Sequence, residues 1–174
     1  MLRTLRRRRH GRPPRGLRVG HRLPSTPLTA ADGSTVDLGE TPPGRAGRLV
    51  VFLPFASSPV CTGEVGTLRD RSQELSAAGL DVVAVTCDAV PALAAWARAE
   101  RLPFPLLSDF WPHGAASRAC GALEEATGAP RRVSLLLDQQ AVVLWRDEVA
   151  PGGARRLDDA LDAAHRLLRP PGPA

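Results

Sequence analysis

The chain has 174 residues and is 43% hydrophobic, enough for one domain with a proper core, yet no apolar run approaches the ~20 residues a membrane helix needs. Its net charge of +5 is unevenly placed. Eight of the 23 basic residues fall in residues 1–18, where there is no acid, and the remainder sets 15 basic against 18 acidic side chains, a balance of −3. A basic tail on a mildly acidic body argues against a nucleic-acid-binding domain, whose basic patch belongs on the fold itself. The tail also lacks the apolar stretch of a secretory or twin-Arg signal.

Lys, Asn, Ile and Tyr are all absent. Their codons are AT-rich, so a GC-rich, bacterial genome explains the absence better than selection on the fold. The cysteines, Cys61, Cys87 and Cys120, are odd in number and widely spaced, which is neither a disulfide framework nor a zinc pattern. Free thiols suit a reducing cytosol, so a cytoplasmic location is expected. His10, His21 and His165 have no ligand spacing, and neither a metal nor a cofactor is implied.

Residues 1–16 read as a disordered Arg-rich tail, with Pro13 and Pro14 and little to bury. Residues 28–38 read as a hairpin turned at Asp32-Gly33. Residues 48–53 form a short apolar run between Gly47 and Pro54, as expected of a buried strand. Residues 60–78 follow as one helix, with Val65, Leu68 and Leu75 on a shared face and Gly79 as its stop. A second buried strand spans 80–85, and a helix spans 91–100 with Pro91 in its first turn. Residues 104–107 read as a short strand and 113–121 as helical. Residues 133–137 are a third clear strand, and 141–146 return antiparallel to it. Leu157, Leu161, Ala164 and Leu168 mark the inner face of a last helix, stopped by Pro170 and Pro171. This strand–helix alternation predicts an α/β domain over 17–169, with a central mixed β-sheet flanked by helices, an N-terminal β-hairpin and a flexible end over 170–174.

The chemistry concentrates in Pro54-Phe55-Ala56-Ser57-Ser58-Pro59-Val60-Cys61-Thr62-Gly63-Glu64. The segment joins a buried strand to a helix and puts Cys61 in the first turn. There, free backbone N–H groups and the positive end of the helix dipole favour thiolate over thiol. The thiolate is the nucleophilic form. A lone Cys after a strand is often only a small buried hydrophobe, so its surroundings decide.

Those surroundings resemble the peroxiredoxin active-site motif, Pro-x-x-x-Thr/Ser-x-x-Cys, at Pro54, Ser58 and Cys61, with Glu64 matching a further common feature. The resemblance covers about residues 17–168. It is strongest to the one-cysteine AhpE type, through Phe104-Pro105-Leu106-Leu107-Ser108-Asp109-Phe110-Trp111-Pro112-His113-Gly114. It implies a thioredoxin-like fold and a thiol peroxidase with Cys61 as the peroxidatic nucleophile. It also implies a distant Arg just ahead of a strand. Arg132 fits that place, with Arg131 as the adjacent alternative, which strand alternation can separate. In the implied mechanism Arg132 stabilises the charge, Ser58 hydrogen-bonds the peroxide, Pro54 shields the sulfur and Glu64 orients Arg132. Ser58 stands where Thr is commoner, losing a methyl that would restrict its rotamer.

No Cys stands five residues after Cys61; Gly66 is there. Three options follow: an external thiol, of the mycothiol, mycoredoxin or thioredoxin type, which is the reductant the resemblance implies, or Cys87 or Cys120 as an internal partner. Trp111 and Phe110 suit a homodimer contact. A disulfide oxidoreductase or a copper chaperone would want a second cysteine near Cys61, which Cys61-Thr62-Gly63-Glu64 lacks. A non-catalytic thioredoxin-like sensor or binding module remains the alternative to an enzyme.

Overall fold

The computed structural model describes residues 17–150 and 153–168. The tail expected over 1–16 and the end over 170–174 lie outside these.

The elements in chain order are β1 (Pro27–Ala30), β2 (Thr35–Asp37), β3 (Gly47–Phe52), α1 (Pro59–Asp70), α2 (Ser72–Ala77), β4 (Leu80–Thr86), α3 (Val90–Glu100), β5 (Leu106–Ser108), α4 (Ala115–Ala119), β6 (Leu123–Glu124), β7 (Ala129–Pro130), β8 (Val133–Asp138), β9 (Val143–Glu148) and α5 (Leu157–Leu167). Seven strands form one mixed sheet in the order β2-β1-β5-β4-β3-β8-β9, while β6 and β7 pair apart from it. β3, β4 and β5 are parallel neighbours; β8 runs antiparallel to β3, and β1 antiparallel to β5. The three parallel strands are apolar at nearly every position because both faces of the sheet are covered.

Alternation along β3 separates two cores. Leu49, Val51 and Leu53 pack on one face with Val65, Leu68, Leu75, Leu93, Trp96 and Leu161, so α1, α2, α3 and α5 share that side. Val50 and Phe52 pack on the other with Val133, Leu135, Ala116 and Cys120, beneath α4. The successive crossovers β3–α1–β4 and β4–α3–β5 step in the same direction along the sheet. Right-handed connection therefore puts both helices on one face. The strand ends that follow β3, β4 and β5 open on a single edge of the sheet, where Cys61 lies.

Four local readings differ. The helix expected over 60–78 is two helices, broken at Arg71 (φ −100°, ψ 12°). The break re-aims α2 so that Leu75 joins Val65 and Leu68 in one core, and Arg71 fixes it by pairing with Glu74 at 2.7 Å and with Asp158 of α5 at 2.6 Å. The helix expected from His113 begins at Ala115, because His113 (φ 38°) and Gly114 (φ 72°) are left-handed. The strand expected over 104–107 begins two residues later and ends one later, at Leu106–Ser108, and the return strand expected over 141–146 runs two residues later, at Val143–Glu148, after Ala141 at φ 62°.

Candidate active site

The loop from β3 to α1 places the chemistry. Ser57 takes φ 60°, a conformation that L-residues other than Asn and Asp rarely adopt, and turns the chain into Ser58. Ser58 is the N-cap of α1 in extended geometry, and Pro59 fills the first helical position, where the missing N–H costs nothing. Cys61 is thus the third helical residue. The Ser58 Oγ accepts from the Cys61 N–H at 3.3 Å and donates to the Phe55 carbonyl at 3.3 Å. One hydroxyl therefore caps the helix and ties it back to the loop. The Cys61 N–H is occupied, and among the described residues no acceptor meets the Val60 N–H. Cys61 itself is buried, with 2% of its surface exposed.

Glu64 lies one turn further along α1, 8% exposed and between two arginines. Arg132, just ahead of β8, meets it through two parallel bonds, Nη2–Oε1 at 2.7 Å and Nε–Oε2 at 3.2 Å, and donates to the Gly153 carbonyl at 3.0 Å. Arg155, just ahead of α5, donates to Glu64 Oε1 at 3.0 Å, to Ser134 Oγ and to the Phe52 carbonyl at 2.9 Å. The two guanidiniums respond oppositely. The bonds to Glu64 push Arg132 up from its ordinary value, with the nearby Cys61 sulfur adding to this, whereas burial pulls Arg155 down. Both stay charged near neutrality, because arginine does not deprotonate in proteins. One carboxylate thus holds two cations about one helical turn along from Cys61, leaving local positive charge.

Arg131 is on the other side. It pairs with Glu148 and donates to the Gly121 carbonyl at 2.6 Å, as alternation through Val133 and Ser134 requires. Arg155 is the residue that sequence reasoning missed. It belongs to no local motif; its only signal was a charged residue two positions before an amphipathic helix.

The remaining cysteines occupy different settings. Cys87 follows β4, half-buried, and its Sγ–H donates to the Pro54 carbonyl at 3.1 Å. Burial, then Asp88 and Asp109, push its thiol up. Cys120 is fully buried in the core opposite Cys61, and burial pushes it up to about 12. Beside the Glu64 cluster opens a cavity of about 270 Å³ between α1 and the segment ahead of α5, with Val60, Leu68 and Leu157 among its apolar walls. Phe110 and Trp111 are exposed, Trp111 at 71%, with the His113 ring edge-on to Trp111 at 4.7 Å.

Residues 19–146 match the AhpC/TSA family. The chain is 35% identical over 112 residues to alkyl hydroperoxide reductase E of Mycobacterium tuberculosis, covering 64% of this chain and 73% of that protein. It is 39% identical over 93 residues to peroxiredoxin Bcp of Escherichia coli K12, covering 53% and 58%. In three dimensions it resembles peroxidoxin BcpB of Mycobacterium tuberculosis (TM-score 0.75, 23% identity, 87% of this chain and 98% of that one). AhpC of the same organism superposes equally well (TM-score 0.75, 24% identity, 87% and 93%). The fold is the thioredoxin-like fold of these structures, and among the described residues no helix is long and apolar enough to cross a membrane. With its family profile matched over most of its length, the chain belongs to the AhpC/TSA family and is a peroxiredoxin, a thiol peroxidase that acts on peroxide.

Proposed function

We propose that the protein reduces hydrogen peroxide, organic hydroperoxides or peroxynitrite through a sulfenic acid on Cys61, and that an external thiol returns it to the reduced state. The observation that carries the reading is the position of Cys61, third in a helix capped by Ser58 and one turn before the Glu64 that grips Arg132 at two points. The thiolate attacks the terminal oxygen. The O–O bond breaks; the leaving alkoxide or hydroxide takes a proton from water, and peroxynitrite leaves as nitrite. Arg132 stabilises the charge as it develops, in a place where little solvent competes. The free Val60 N–H and the Ser58 hydroxyl are hydrogen-bond partners for the two oxygens, and Pro54 screens the sulfur. The apolar walls of the neighbouring cavity suit the organic part of a hydroperoxide.

The sulfenic acid then condenses with an incoming thiol, releasing water, and a second thiol frees Cys61 from the mixed disulfide. A mycothiol, mycoredoxin or thioredoxin type of reductant meets these needs. Cys120 is a poor internal partner because it is buried on the opposite face and held as thiol. Cys87 is also held as thiol by burial and already bonded to Pro54. A cysteine only 2% exposed cannot meet a bulky thiol unless the first turn of α1 opens. Three unpaired cysteines fit a reducing cytosol, and the exposed Phe110 and Trp111 fit a homodimer.

Stoichiometric peroxide added to the reduced protein, followed by stopped flow and intact mass beside Cys61→Ser, tests the reading. Fast peroxide loss with one oxygen added at Cys61, absent in the variant, is the expected result. Loss of two hydrogens instead would mean an internal disulfide. Reaction no faster than an ordinary thiol would leave a sensor or binding module.

A further inference from the structure

The loop 54–58 must hold Ser57 at φ 60° and present the Ser58 cap, yet it lies between β3 and α1 with no ladder of its own. Its backbone groups find partners outside it. The Ala56 N–H donates to the Asp88 carboxylate at 2.7 Å, and the Pro54 carbonyl accepts from the Cys87 thiol at 3.1 Å. Both partners come from the two residues directly after β4. Asp88 is itself held at its backbone. Its N–H donates to Thr86 Oγ1 at 3.0 Å, and its carbonyl accepts from Ser108 Oγ, at the end of β5, at 2.7 Å. The carboxylate therefore reaches the loop from a base fixed by the ends of two central strands.

We infer that Asp88, assisted by Cys87, is a positioning residue for the peroxidatic reaction, clipping the loop at positions 54 and 56 so that Ser58 and Cys61 meet the peroxide in register. The inference rests on the reading of Cys61 as the peroxidatic cysteine and adds a role to a pair outside the motif. A bond from a backbone N–H to a charged acceptor is strong, and small misplacements of reacting groups are costly. Neither Asp88 nor Cys87 touches the peroxide. Each acts through the loop.

The test measures the second-order rate of the first oxidation step, with hydrogen peroxide and the full chain, before any reductant is present. Asp88→Ala is expected to slow sulfenate formation on Cys61 by about ten- to a hundredfold. Asp88→Asn, whose amide oxygen can accept the same N–H without the charge, is expected to restore most of the rate. Cys87→Ala is expected to slow the step about threefold, a hydrogen bond's ordinary worth, and Cys87→Ser much less. A resolving role for Cys87 would not move this step at all. Asp88→Ala at the wild-type rate, or Asp88→Asn as slow as Asp88→Ala, would overturn the inference. If Asp88→Ala does not fold, the Cys87 pair and Asp88→Asn decide it in the same way. A slow wild type would instead defeat the reading of Cys61 on which the inference stands.

Discussion

Glu64 is where the local charges balance. Its carboxylate is the shared anion for Arg132 and Arg155, whose side chains are 14% and 6% exposed. Removing one partner of such a group leaves buried charge uncompensated, and the two guanidiniums then repel each other. Glu64→Gln is expected to destabilise the fold by about 3 kcal/mol, the lower end for a buried pair, since Arg132 keeps some contact with water. Urea unfolding of the reduced protein measures it. Adding Arg155→Met should recover part of the loss, because an apolar side chain needs no counterion there; a double variant weaker than Glu64→Gln alone would show the ion pair is not the cause. Arg132→Lys tests a different property of the same cluster. Lysine keeps the charge but cannot make two parallel bonds to one carboxylate. The peroxide rate should fall at least tenfold, while the unfolding midpoint moves much less.

At the scale of elements, α1 carries the most consequence for the least sequence. Its start was readable to within one residue, Val60 expected against Pro59 observed, because the end of the apolar strand and the spacing of Val65 and Leu68 bracket it. Replacing Ser58 with Ala removes both the bond to the Cys61 N–H and the tie to Phe55, and is expected to cost about 1 kcal/mol of stability. Ser58→Thr keeps the cap and should keep that stability; denaturant midpoints of the two variants compare them directly. The end of α1 was not readable. Nothing in the local pattern around Arg71 breaks a helix. The break is fixed by Asp158, 87 positions away on α5, and by the need to seat Leu75 in the common core. The start of α4 was hidden for a similar reason. The Asp109 carboxylate accepts from the Ala116 and Ser117 N–H groups at 3.0 and 2.8 Å, so the capping acid stands before a turn of two left-handed residues. Strands β3, β4 and β8 were legible because burial on both faces writes itself as continuous apolar runs. Cys61 at a helix start was legible from the strand–helix junction, Ser58 and an Arg ahead of β8 came from the resemblance to the peroxiredoxin motif, and only the preference for Arg132 over Arg131 rested on register with the strand. Arg155 was not legible, since tertiary packing alone brings it to Glu64.

Over the whole molecule, the sheet divides the thiols as it divides the core: Cys61 packs on the face of α1, and Cys120 on the face of α4. That division has a thermodynamic signature. Burial pushes Cys120 from 9.0 up to about 12, with Asp109 adding to the shift and Arg146 opposing it. In the folded state the thiol therefore keeps its proton where the unfolded chain has lost it. Between pH 9 and 12 the native state binds more protons than the unfolded one, so stability is complete below about pH 9 and declines as pH rises, by about 1.4 kcal/mol per unit for this one group. Cys87, also raised by burial, contributes with the same sign. The composition makes this limb unusually clean to read. With no Lys and no Tyr in the chain, neither of those side chains overlaps the titration of Cys120 and Cys87. Unfolding free energies of wild type and Cys120→Ala, measured by urea at half-unit steps from pH 8 to 11, should differ by a constant below pH 9, the cost of the small cavity. Above it they should converge as the wild type loses stability faster. Parallel curves throughout would mean that Cys120 ionises as readily folded as unfolded, and that the core beneath α4 admits water.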